Sequence, residues 1–152
     1  MARRVRSEVP GRDPGEPARP TSETDFEKMP MLTTRIDPLN TSPVDMEGVK
    51  DVSMRVLLGR EHDMPHFSMR HFVVDAAGHT PHHSHDYEHQ VIVLAGQGEA
   101  EQAGEIQTIR QGDVLFVEAG KEHQFRNTGE TPMEFICLVP RDRDGGGEVP
   151  GS

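Results

Sequence analysis

The chain has no tryptophan, one tyrosine and six phenylalanines among 152 residues. Its core must therefore be built mostly from Val, Ile, Leu and Met. A single cysteine, Cys137, excludes a disulfide within the chain, which fits a reducing compartment. No apolar run approaches the roughly 18 residues of a membrane span, so no membrane partner is expected. Positive charge is also short: 16 Lys and Arg stand against 26 Asp and Glu, for a net charge of -10. That balance argues against a nucleic-acid partner, which needs a basic patch. Arg3, Arg4 and Arg6 open the chain with no apolar segment behind them. No signal peptide is read from this, and a cytoplasmic location is expected. Sustained 3.6-residue periodicity is missing too, apart from a possible short turn near residues 39–48.

What is present is unevenly spread. Residues 1–30 hold five prolines and two glycines, with six positive and six negative side chains. Such a segment cannot bury enough surface to offset the entropy of ordering it, so disorder is expected to about residue 30. Met29 and Met31 stand where composition changes, so a later natural start is conceivable. Residues 1–45 are read as an N-terminal extension, 46–140 as the folded domain and 141–152 as a flexible tail. The extension and tail flank the part in which short strands are expected. Val52, Met54, Val56 and Leu58 alternate. Residues 67–74 are β-rich, 91–94 form a continuous apolar run, and Ala103-Gly104 is a hairpin turn. Further turns at 111–113 and 128–131 lead into 114–117 and 133–139. Many short strands with glycine turns between them indicate an all-β sandwich or barrel.

Against this plain background, nine histidines stand out. His83, His85 and His89 fall in one tract, and His123 lies further on, after a Gly-Asp turn and a strand. On a strand, His83 and His85 share one face, because the side-chain period is 2. His89 has the same parity, although Asp86-Tyr87 can turn the chain between them. Neutral imidazole is a common ligand of divalent transition metals. A His-rich tract can also be a loose surface scavenger. The joint pattern points to a specific site with His83, His85, His89 and His123 as metal ligands.

That pattern resembles the cupins, small jelly-roll barrels with two motifs. Gly78, His83, His85, His89 and Gly96 fit the first motif, with one gap a residue short and His89 where Glu is usual. Gly112, Gly120, His123 and Asn127 fit the second, with Glu118 replacing a proline. The resemblance covers residues 46–140. It implies a single-domain jelly-roll β-barrel, closest to small cupins with an all-histidine manganese site. It also implies a homodimer, and it suggests that Phe135 and Cys137 line a pocket near the metal.

Four neutral ligands leave the ion its full charge and make it a stronger Lewis acid. Ligand type alone favours Zn, Cu, Fe or Ni over Mn. The resemblance favours Mn, then Fe, in an octahedral site with two open positions. A closed, tetrahedral structural zinc site is the rival reading. Around the ligands, His82 is expected as an outer-shell or surface group and Gln90 as a partner that orients a histidine ring. His79 is a candidate for the mouth of the site. His62, His66 and His71 are read as surface or core residues, and Glu88 as solvated. Arg70 could anchor a substrate carboxylate or oxygen, but a surface position is the default. Cys137 could equally be a small buried hydrophobe.

The function expected is a Mn- or Fe-dependent oxidoreductase of the dioxygenase kind. Its partners would be a small organic substrate and O2 or peroxide. The alternative is a non-catalytic, metal-dependent small-molecule binding or sensing module, because this fold carries many functions.

Overall fold

A computed structural model of the chain describes residues 30–144. The segment expected to be disordered, Met29 as an alternative start, and the tail beyond residue 144 lie outside the described residues. Residues 30–35 belong to a separate unit, and the compact unit begins at Ile36. It is almost entirely strand: β1 Ser42–Pro43, β2 Lys50–Leu58, β3 Phe67–His79, β4 His89–Ala95, β5 Gln97–Gln102, β6 Glu105–Arg110, β7 Val114–Val117, β8 His123–Arg126 and β9 Met133–Pro140. Two short 3-10 segments, Arg60–His62 and Arg141–Arg143, are the helical parts among the described residues. No described helix is long and apolar enough to cross a membrane.

The strands form one curled antiparallel sheet in the order β6-β5-β8-β3-β9-β4-β7, with β2 on β3 and β1 on β2. The all-β jelly-roll expectation holds. Alternation explains how each strand contributes. In β4, His89, Val91 and Val93 are buried while Gln90 and Ile92 face out. In β9, Met133, Phe135, Cys137 and Val139 point into the core. This is the period of 2 that puts one face of each strand inside. Ala103 and Gly104, both at positive φ, close the β5–β6 hairpin. Two consecutive residues in that region match the twist of a tight hairpin. Gly96 lies at φ +79, and a Cβ there would sit 2.6 Å from the Pro132 carbonyl oxygen. Only glycine fits that crossing between β4 and the chain entering β9.

Three boundaries differ from the sequence reading. Strand pairing begins at Ser42, inside the stretch assigned to the extension, with Ser42 opposite Met54. The strand expected over 67–74 runs on to His79, where it meets Arg126 of β8. The tail is anchored at its start: Asp144 is fully buried, accepting from the Arg60 amide at 2.8 Å and the Ser68 hydroxyl at 3.1 Å. Those partners lie far away in sequence, so the local polar composition gave no sign of them.

Candidate metal centre

His83 and His85 do not sit on a regular strand, as the alternation argument had them. They lie in the loop between β3 and β4, and His83 makes an isolated bridge to His123 at the start of β8. The two residues exchange both backbone hydrogen bonds, at 2.9 and 3.2 Å. A pair that exchanges both bonds places its side chains together on one face. The two rings lie 5.0 Å apart. The Gly120 amide donates to the His85 carbonyl at 2.7 Å, pinning the second histidine to the same loop. Convergence therefore comes from cross-loop pairing, with strand parity playing no part.

The ring nitrogens of His83, His85 and His123 all lie within 4.8 Å of one another. His89 arrives from β4 and touches this group through His85, Nε2 to Nε2, at 2.7 Å. Carbonyls fix two of the tautomers. The Nδ1–H of His85 donates to the Tyr87 carbonyl at 2.7 Å, and that of His123 to the Lys121 carbonyl at 3.0 Å. A carbonyl only accepts, so both Nε2 atoms carry lone pairs. This outer-shell arrangement is what metal-bound imidazoles use. Tyr87 also stacks flat on His85, with ring centroids 3.8 Å apart. The residues therefore fit a divalent transition metal. Sequence reasoning missed Tyr87 and Lys121, because backbone carbonyls leave no residue signature.

His89 has a second neighbour. Its Nδ1 lies 3.2 Å from Cys137 Sγ, and the Arg70 Nη2 donates to the same sulfur at 3.5 Å. Register accounts for both contacts, since Arg70 and Cys137 are direct cross-strand partners and Cys137 lies opposite Val91 on β4. Because His85 Nε2 carries a lone pair, the contact between the two Nε2 atoms requires His89 Nε2–H as the donor. For His89 to offer Nε2 to an ion, its proton must sit on Nδ1, facing the sulfur.

Burial keeps the cluster neutral. It lowers His83 to about 4, with help from His123 and His85. It drives His89 down to about 2, with Arg70 adding to the effect. His85 and His123 are lowered chiefly by burial as well, each opposed by its carbonyl hydrogen bond. The Cys137 thiol is raised by burial, against the pull of Arg70.

The histidines open onto a cavity of about 370 Å³ lined by His83, His89 and His123. Its walls include Val52, Met54, Phe72, Phe125, Phe135 and Cys137, together with Arg70. Phe135 and Cys137 thus line the pocket. Three other expectations need correction. Arg70 is not on the surface: it is 4% exposed and faces the cavity. It shares strand parity with Phe72 and Val74, a signal that its charge outweighed. Gln90 orients no ring among the described residues. It is exposed on the outer face of β4, opposite in parity to His89. His82 takes the surface place expected of it, exposed and paired with Glu101 at 2.6 Å, away from the cavity lining. His79 is not part of that lining and bonds to the Thr80 carbonyl. His71 is fully buried against Glu134, on the opposite side of β3 from Arg70.

The cupin domain family matches residues 70–139, which span both histidine groups. Residues 70–139 are thus a cupin domain. It is 29% identical over 76 residues to 1-methylthio-D-xylulose 5-phosphate methylsulfurylase of Rhodospirillum rubrum, covering 50% of this chain and 49% of that protein. It is 34% identical over 58 residues to an oxalate-binding protein of Thermotoga maritima, covering 38% and 48%. The chain thus spans about half the length of the curated relatives it matches. The polyketide cyclase RemF of Streptomyces resistomycificus shares the fold, with a TM-score of 0.66, 24% identity and coverage of 74% and 82%. The superfamily thus includes enzymes and binding proteins, and this cupin carries a three-histidine group able to hold a metal.

Proposed function

We propose that this cupin is a metal-dependent oxidoreductase of the dioxygenase kind, holding Mn or Fe on His83, His85, His89 and His123. The observation that carries the reading is the cavity: three of the four rings line an apolar chamber large enough for a small organic molecule. A bound Mn or Fe would supply redox and Lewis-acid chemistry toward O2 or a peroxide. The chain's own residues hold and shield the site. The Tyr87 and Lys121 carbonyls set two imidazole tautomers, and Cys137 would receive the Nδ1 proton of the third, His89, when its Nε2 holds an ion. The apolar walls exclude water and position the substrate. A sealed structural zinc site fits less well, because the rings face a chamber. The relatives' names describe different chemistries, so the reaction class rests on this donor set and cavity.

One observation favours the alternative, a binding module without turnover. The carboxylate in the lining, Asp45, is exposed, so the cavity walls offer no buried general base. Metal analysis of untagged protein, followed by oxygen-electrode assays with small organic acids, separates the readings. The enzyme reading expects Mn or Fe near one per chain and substrate-dependent O2 uptake. Zinc alone without uptake would overturn it.

We also propose a homodimer. Ile92, Val114 and Phe116 are exposed on the paired strands β4 and β7, an apolar outer face suited to a second copy. Sedimentation showing only monomer would refute this.

A further inference from the structure

Arg70 is a buried cation without a counterion among the described residues. Its polar partner is the Cys137 sulfur at 3.5 Å, and its guanidinium lies 4.9 Å from the centre of the Phe72 ring. Its Nε has no hydrogen-bond partner. No ion pair links it to a carboxylate among the described residues. A buried charge left uncompensated is costly, and proteins retain one where something comes to pair with it. Nothing else in the chamber does so: the histidines lining it are neutral, and Asp45 is exposed. In a chain of net charge -10, this makes the chamber locally positive even before a metal enters.

The shape of the donor group narrows the ligand. Arg70 lines the cavity, and a guanidinium presents a planar fork of N–H groups that matches a carboxylate. The surrounding wall is apolar and partly aromatic, with Phe72 and Phe135 stacked at 5.0 Å and 15°. A single cation in such a wall suits a head group of one negative charge on an apolar, flat body. The chamber volume falls within the roughly 300–1,000 Å³ of small-molecule sites.

We infer that the cavity takes a small apolar monocarboxylic acid, its carboxylate on Arg70 and its body along Phe72 and Phe135, beside the histidine cluster. This rests on the proposed function only for the identity of the cavity as the substrate site. Calorimetry on the metal-free protein tests it, with trans-cinnamate and its neutral amide as probes. Metal-free protein removes the other cation that could hold a carboxylate. Wild type should bind the acid more tightly than the amide by about tenfold or more. Arg70→Met should abolish that preference while leaving amide binding unchanged, and Arg70→Lys should keep part of it. Equal affinity for acid and amide, no binding of millimolar cinnamate, or a preference that survives in R70M would each overturn the inference. If R70M fails to fold, the wild-type comparison and R70K decide. A failed metal reading would show as absent Mn and Fe, with this preference intact.

Discussion

His83, in the β3–β4 loop, and His123, at the start of β8, exchange both of their backbone hydrogen bonds, although they belong to separate sequence motifs. The same contact that closes the barrel at this point brings the two imidazoles edge to face, with ring centres 5.0 Å apart and planes at 62°. Metal binding and loop closure are therefore coupled. Metal at about a hundred times its Kd should stabilise the fold by about 2.7 kcal/mol. Single alanine substitutions of His83, His85, His89 or His123 should each reduce metal affinity. The loss should exceed the roughly 10–100-fold cost of removing an outer-shell partner. Unchanged metal content by ICP-MS in two of these variants would remove the assignment.

Asn127, the last residue of the second motif, is a bracket for the fold and takes no direct part in the site. Its Nδ2 donates to the carbonyls of Val74 and Thr131, each at 2.8 Å, and its Oδ1 accepts from the Gly129 amide at 2.9 Å. It is buried, so truncation leaves these groups unpaired where water cannot reach them easily. Asn127→Ala should cost about 2–4 kcal/mol. Asn127→Asp should be no milder, because a carboxylate cannot donate to two carbonyls. Denaturant unfolding checks the magnitude. A change below about 0.5 kcal/mol in both variants would count against the bracket role.

Asp144 makes a matching prediction at the other end of the barrel. Its carboxylate joins the Arg60 turn to Ser68 of β3, and Arg60 lies 3.9 Å away as a weak ionic partner. Asp144→Ala should cost about 1.5–3 kcal/mol, the range for hydrogen bonds to a charged group. A chain ended after Pro140 should lose at least as much. If that truncated chain melts like the full one, residues 141–144 are the passive tail that their composition suggested.

The contrast between these residues shows what the sequence could and could not convey. The apolar run of β4 and the Ala103-Gly104 turn are local signals of strand and turn, whereas the histidines were marked by motif spacing and brought together by pairing between distant segments. The local signals survive because each needs only its neighbours. Arg70 and Asp144 depended on partners supplied by distant parts of the chain. Arg70 had the parity of Phe72 and Val74, yet a charged side chain is exposed by default, and only the cross-strand pairing with Cys137 places it in the cavity. The Asp144 partners lie on the β2–β3 connection and on β3, beyond the reach of any local pattern. Gln90 was read from proximity to His89, but adjacent residues on a strand face opposite ways.

The depressed histidines set a pH dependence for the metal-free protein. Each is neutral in the folded state and takes up a proton, once unfolded, below its ordinary value of 6.5. Between that value and the folded one, the unfolded chain binds more protons. Stability therefore falls as pH drops from 6.5, down to about 4 for His83 and about 2 for His89. A fully shifted group contributes about 1.4 kcal/mol per pH unit, and half-buried His83 gives less because solvent screens it. In chelator, the melting temperature should decline steadily between about pH 6.5 and pH 5, above the range where most carboxylates titrate. His89→Gln, neutral throughout, should melt with a shallower pH slope than wild type. Identical slopes would mean that His89 can be protonated inside the fold, and the buried, neutral cluster would have to be abandoned.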